Sequence, residues 1–213
     1  MPFLQKKPQV GSSSPLFTLG LQKTLLVVGL GNIGKDYKGT RHNIGFECVD
    51  AFAKATDFPD WMNKKDLKCH LTTQTLGDRR VILMKPTTMM NLSGEAVQAV
   101  ANFYKVTPDD IVVVHDELDI PFGQIRSRVG GSDAGHNGVK SILQHVGDNF
   151  GRVRIGIGPK TPEQIDSADF VLSKFNADEA GQLPALTREV NSILSEHSYG
   201  NQPLPHETRS FLL

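Results

Sequence analysis

The segment Thr24-Leu-Leu-Val-Val28 running into Gly29-Leu-Gly-Asn-Ile-Gly34 constrains the fold more than any other stretch of the chain. A short apolar run ending in β-branched residues reads as a buried strand, and the glycines after it open a loop at its carboxyl end. Ligands of open α/β sheets gather at such ends. The spacing Gly29-x-Gly31-x-x-Gly34 also fits a dinucleotide-binding fingerprint, which would make the protein an oxidoreductase. That motif, however, must pass directly into a helix whose N-terminus holds a pyrophosphate. Here nine polar, turn-forming or glycine residues follow Gly34 before any apolar period resumes. Asp50, about where a ribose-binding acid is sought, falls inside the helical pattern of Ile44, Cys48, Val49 and Phe52. The dinucleotide reading therefore lacks both confirming contexts. What the loop does carry is a side-chain amide, Asn32, and an imidazole, His42.

At 213 residues, 38% hydrophobic and 22% charged, the chain is long enough for one sizeable core and reads as a single α/β domain. Lysine plus arginine (23) equal aspartate plus glutamate (23), so nucleic-acid binding would need a local basic patch. The two cysteines, Cys48 and Cys69, read as reduced structural thiols, and no zinc pattern is present. No apolar run approaches the ~20 residues of a membrane helix. Residues 1–22 hold Lys6, Lys7, Ser12 to Ser14 and no acid; this extension reads as disordered or as a targeting segment. The domain is expected over 23–199, followed by a tail, 200–213, read as coil.

Along the domain, Lys68 to Thr75 and Arg80 to Met84 read as a hairpin after a turn-rich connection, Phe58 to Asn63. A helix follows with Ala96, Val97, Val100, Phe103 and Tyr104 on its apolar face, capped by Ser93 or Asn91. Ile111-Val-Val-Val114 is a buried strand ending in the acidic cluster His115-Asp-Glu-Leu-Asp119. Gln124 to Val129 is a strand with Arg126 and Arg128 on one face, and Arg152 to Ile157 repeats that spacing with Arg152 and Arg154. Between them a glycine-rich loop precedes a helix from Val139 to Val146. A last helix spans Leu183, Leu186, Val190, Ile193 and Leu194.

Polar side chains collect at the ends of these strands: Asn32 with His42, Asn91, Asp116, and His136 with Asn137. Amides donate and accept, so several asparagines suit a substrate that presents N–H and C=O groups of its own, as a peptide does. A histidine beside an aspartate can take a proton from water at neutral pH. Each residue also has a plainer reading as a cap, turn or surface group. The carboxylates Asp116, Glu117 and Asp119 do not form an EF-hand loop, and the histidines lack metal-motif spacing.

Six ordered segments resemble the bacterial-type peptidyl-tRNA hydrolase family, in a eukaryotic or organellar-like form. They are Val28-Gly-Leu-Gly-Asn-Ile-Gly, Thr40-Arg-His-Asn-Ile-Gly-Phe, Lys85-Pro-Thr-Thr-Met-Met-Asn-Leu-Ser-Gly, Val114-His-Asp-Glu-Leu-Asp-Ile-Pro-Phe-Gly, Gly135-His-Asn-Gly-Val-Lys and Arg154-Ile-Gly-Ile-Gly. Ile33 departs from the proline of many members, and Ser132-Asp-Ala134 interrupts the usual glycine run. The resemblance implies one α/β domain with a twisted mixed, largely parallel sheet between helices on both faces. It implies hydrolysis of the ester between a peptide and the 3′ end of tRNA, without metal or other cofactor. His42 would be the base, Asp116 its orienting partner and Asn32 the support of developing charge. Tyr37, Met90, Asn91, His136 and Asn137 would meet the peptide part. Arg126, Arg128, Lys140 and Arg154 would meet tRNA. The implied protein is a monomer of the cytoplasm or a mitochondrion, with peptidyl-tRNA as partner and no membrane. The rival from another class is a non-catalytic RNA-binding or splicing-associated protein on the same fold.

Overall fold

Leu25, Leu26, Val27 and Val28 are all fully buried, because their strand β1 (Thr24–Gly29) runs through the middle of a sheet covered on both faces. The computed structural model describes residues 23–200 and 203–211, so the reading of residues 1–22 lies outside the described residues. The strands after β1 are β2 (Met62–Lys64), β3 (Cys69–Leu76), β4 (Arg79–Pro86), β5 (Ile111–Pro121), β6 (Gln124–Val129), β7 (Gly151–Gly158) and β8 (Glu207–Ser210). The helices are α1 (Ile44–Ala55), α2 (Ser93–Tyr104), α3 (Asn137–Val146), α4 (Ser167–Leu172) and α5 (Ala177–Tyr199).

The eight described strands stand in the order β2-β3-β4-β1-β5-β7-β6-β8. The expected mixed sheet is present. Its parallel part is confined to the centre, where β4, β1, β5 and β7 pair in parallel, while the four remaining pairings are antiparallel. Parallel neighbours require crossovers, and α1, α2 and α3 supply them. Side chains alternate across each strand, so Leu25, Val27, Val112 and Val114 pack with α1 and α5. Leu26, Val28, Ile111 and Val113 pack with α2 and α3 on the other face.

Several boundaries differ from the sequence reading. The strand expected to stop at Val114 continues as β5 through the acidic cluster to Pro121, because β7 keeps pairing with it through Asp116 and Glu117. The tail is not coil throughout: Glu207–Ser210 forms β8, whose partner β6 lies far back in the chain. Part of the turn-rich connection forms β2, which is exposed throughout. Neither Ser93 nor Asn91 caps α2, whose first turn has no side-chain cap; Asn91 sits instead in a 3₁₀ turn, Met90–Leu92, that leads into it. Among the described residues no helix is long and apolar enough to cross a membrane.

Candidate active site

The nine residues after Gly34 fold as two short 3₁₀ turns, Lys35–Tyr37 and Arg41–Asn43, and α1 begins only at Ile44. Gly29 is required here by close packing: a Cβ on it would lie 2.4 Å from the Gly45 carbonyl oxygen. Gly29, with Gly31 against Phe46, therefore seats α1 against β1, and Asp50 pairs with Lys85 at 2.5 Å. Both findings remove the dinucleotide reading. Asn43 locks the loop onto the turn. Its Oδ1 accepts from the Asn32 N–H at 2.8 Å and its Nδ2 donates to the Asn32 carbonyl at 3.0 Å. On β5, Asp116 is on the same face as Val112 and Val114, the face that meets α1. His42 and Asp116 are thus brought together from 74 positions apart.

Hydrogen bonding fixes the protonation of this group. His136 is the N-cap of α3, its Nδ1 accepting from the Gly138 N–H at 3.1 Å and the Val139 N–H at 3.3 Å. A nitrogen that accepts carries no proton, so the hydrogen of neutral His136 is on Nε2, which donates to Asp116 Oδ1 at 3.0 Å. Asp116 also receives His42 Nδ1–H, at 2.9 Å to Oδ1 and 3.0 Å to Oδ2. His42 is left with a bare Nε2 lone pair. Burial alone would raise the Asp116 carboxyl, but the charge and hydrogen bonds of His42 and His136 outweigh it and hold Asp116 well below the usual carboxylate range. Behind them, His115 donates from Nδ1 to the Asp116 carbonyl at 2.7 Å. Burial first, and then the neighbouring His136, push its pKa well below that of a free imidazole.

Asn32 has a determined orientation as well. The Met90 N–H lies 2.8 Å from its amide and can only donate, so Oδ1 faces Met90 and the NH₂ end is left over. A cavity of about 630 Å³ opens here, lined by Asn32, His42, Asp116, His136, Met90, Asn91 and Asn137. Asn91 and Asn137 are exposed on its rim. Tyr37 is not among its lining residues; it belongs to the outer 3₁₀ turn, Lys35–Tyr37. The sequence reading missed the opposite wall, Ser167, Ala168, Val171 and Leu172 of α4. The available signal was Asp166, which caps α4 by accepting from the Ala168 N–H at 2.8 Å. It also missed Arg41, whose guanidinium is buried between Phe170 and Phe175 and bonds Ser173, the Lys174 carbonyl and Glu179.

The arginines form one face. β6 and β7 place Arg126 opposite Arg154 and Arg128 opposite Arg152, all pointing away from the α1 side where Ile125, Val153 and Ile155 are buried. Arg152 is only 1% exposed and donates to the carbonyls of Gly131 and Ser132, so it anchors the glycine-rich loop and presents nothing to a partner. Burial and then the charges of Arg128 and Arg154 draw its pKa down to about 10. Arg126, Arg128 and Arg154 are half-buried, with Glu117 3.7 Å from Arg154. Lys140 stands exposed in the first turn of α3.

His42, Asp116 and His136 also have the composition of a metal site, with ligand atoms within 4.8 Å of one another. The residues do not fit one. A metal on His136 Nε2 would shift its proton to Nδ1, where two backbone N–H groups already point.

The peptidyl-tRNA hydrolase family model matches residues 26–204. A peptidyl-tRNA hydrolase of Sorangium cellulosum is 47% identical over 179 residues, 83% of this chain and 79% of that protein. One of Gloeobacter violaceus is 42% identical over 84% of this chain and 98% of its own. The crystal structure of peptidyl-tRNA hydrolase from Acinetobacter baumannii superposes with a TM-score of 0.71 at 32% identity, covering 86% of this chain and 98% of that one.

Proposed function

Because the chain belongs to the peptidyl-tRNA hydrolase family, we propose that it hydrolyses the ester between a peptide and the 3′ end of its tRNA at the His42 cavity. The observation that carries the mechanism is the hydrogen-bond chain from the α3 amides through His136 to Asp116 and His42. His136 fills one side of the Asp116 carboxylate as a fixed donor, so His42 can only give its Nδ1–H to Asp116 and turn Nε2 outward. His42 Nε2 takes a proton from water, whose oxygen attacks the ester carbonyl. The NH₂ of Asn32 donates to the oxygen on which negative charge develops. As the tetrahedral intermediate collapses, His42 returns the proton to the departing ribose oxygen, giving free peptide and tRNA. Asn91, Asn137 and Met90 receive the peptide, and Arg126, Arg128 and Arg154 receive tRNA phosphate.

Hydrolysis of a labelled N-acylated aminoacyl-tRNA, with and without EDTA, tests the reading. Turnover is expected to be the same in both, and loss with the chelator would reinstate a metal. Nothing in the geometry favours the non-catalytic RNA-binding alternative. The same reading has the enzyme work as a monomer in the cytoplasm or a mitochondrion, which sedimentation and localisation of a tagged full-length chain test.

A further inference from the structure

The glycine-rich loop that precedes α3 forms a wall of the His42 cavity through Ala134 and Gly135, yet little in its own sequence keeps it there. Gly131, Ser132, Ala134 and Gly135 are exposed, so the loop has no apolar side chain to bury. Gly130, Gly131, Ala134 and Gly135 have φ of 71°, 101°, 49° and 79°, and Ala134 holds a left-handed conformation that a side chain disfavours. At its far end the loop ties itself to Asp133, whose Oδ1 accepts from the Gly135 N–H at 2.8 Å and whose carbonyl accepts from the His136 N–H at 2.9 Å. Its near end is held from the sheet.

Two arginines do the holding. Arg128 Nε–H donates to the Gly130 carbonyl at 3.0 Å, and its guanidinium occupies the place of a Cβ on Gly131, so only glycine admits it there. From β7, Arg152 reaches further along. Its Nη1 donates to the Ser132 carbonyl at 2.5 Å, its Nη2 donates to the Gly131 carbonyl, and the guanidinium lies 4.9 Å from the centre of the Phe150 ring. Arg152 is 1% exposed, and a buried cation is costly when no carboxylate pairs with it. Here Glu117 pairs with Arg154 instead, and Arg128 and Arg154 both oppose the Arg152 charge. An apolar side chain at this position of β7 would avoid that penalty, so what the guanidinium adds is its grip on two consecutive carbonyls.

We propose that Arg152 is a positioning residue for the hydrolytic reaction: it holds the glycine-rich loop so that Ala134 and Gly135 close the His42 cavity around the peptide part of the substrate. The assignment rests on the hydrolase reading of that cavity. It is tested on the full chain with Arg152→Met and Arg152→Lys. The methionine variant loses the repulsion from Arg128 and Arg154, and the carbonyls it frees belong to exposed residues that water reaches. It should therefore unfold in urea at the parent's midpoint or above. Its KM for N-acylated aminoacyl-tRNA should rise about tenfold, the size of one lost charge-assisted hydrogen bond. Its kcat should be nearly unchanged, because His42 and His136 keep their own bonds to Asp116. Arg152→Lys, whose single ammonium cannot fork across both carbonyls, should recover part of the loss. The Gly135 and His136 amides should exchange with deuterium faster in Arg152→Met than in the parent, while bare tRNA affinity keeps the parent's salt slope. An unchanged KM overturns the proposal. So does a lowered urea midpoint with kcat and KM both impaired, which would make Arg152 a plain stabiliser of the fold. A flattened salt slope overturns it as well, since Arg152 would then be a contact to the RNA. A parent that does not hydrolyse the substrate defeats the hydrolase reading instead, and faster exchange in the variant would then still support Arg152 as the anchor of the loop.

Discussion

At the scale of single residues, the behaviour of His42 follows from hydrogens placed by its neighbours. His42→Ala should lower turnover by ~10²–10⁴-fold, the range for a positioned general base, with tRNA affinity nearly unchanged. Single-turnover hydrolysis beside a tRNA-binding titration checks it, and near-normal turnover would remove His42 from the mechanism. His115 carries a separate consequence. Its pKa is lower in the folded than in the unfolded chain, so the unfolded state binds the extra proton. Its stabilising contribution is complete above the unfolded value near 6.5 and is lost as pH falls below it, by about 1.4 kcal/mol per pH unit. Asp116, also depressed, adds a second loss below its unfolded value of 3.8, whereas Glu117 is raised by burial and opposes both. Urea unfolding at pH 7.5, 6.5 and 5.5 should therefore show the parent losing stability faster than His115→Gln; parallel curves would mean that His115 does not titrate between the two states. His42, Asp116 and the asparagines were legible in the sequence because they sit at strand ends within ordered motifs. The roles of His136 as cap and of Asn43 as clamp were not, because each depends on a backbone geometry that no spacing encodes.

Among the elements, the least legible was the wall of the cleft. Strands β1, β4 and the start of β5 read clearly because both of their faces are apolar. The rest of β5 did not, since acidic residues are poor strand formers and only the partner β7 holds them extended. α4 is a short helix whose burial rests mainly on Phe170, and what fixes it is Arg41, more than 130 positions away at both Ser173 and Lys174. The Arg41 backbone N–H also donates to the Ser173 carbonyl at 3.0 Å. The turn bearing His42 and the wall bearing Val171 and Leu172 are therefore one mechanical unit. Arg41→Met keeps the packing between Phe170 and Phe175 but takes the cation from Glu179, whose side chain is only 16% exposed and keeps just the Asn176 N–H among the described residues. It should cost about 3 kcal/mol in urea unfolding and raise KM more than it lowers kcat. Arg41→Lys should recover little, because a single ammonium cannot replace the fork that spans Ser173, the Lys174 carbonyl and Glu179. Full recovery by lysine would show that charge alone, without the latch, is what matters.

For the whole molecule, a net charge of zero conceals a polar arrangement. Composition could not locate a basic patch, and the two Arg-x-Arg spacings could not say that their strands are neighbours. The register supplies that: Arg126 faces Arg154 and Arg128 faces Arg152, with Glu117 the carboxylate paired to this face. Of the four, Arg152 is committed to the glycine-rich loop. Arg154 is partly neutralised by Glu117, and its pKa is drawn down by burial and then by Arg128. Arg126 and Arg128 are the pair whose charge is most available, Arg126 donating to the Gln124 amide oxygen and Arg128 to the Gly130 carbonyl among the described residues. If they meet phosphate, each releases counterions on binding, and the plot of log affinity against log salt should flatten by about 0.7–0.9 for each one removed. For Arg126→Ala/Arg128→Ala the combined change is roughly 1.5 units. Arg154→Ala should give less than a full unit, since it also frees Glu117 to repel the backbone it faces, weakening affinity at every salt concentration. Turnover at saturating substrate should persist in the double variant, because neither arginine is among the lining residues of the His42 cavity. The measurement is tRNA affinity across a salt series for the parent and these variants. Lines of equal slope would mean that this arginine face does not carry the RNA, and would leave Lys140 at the start of α3 to carry it.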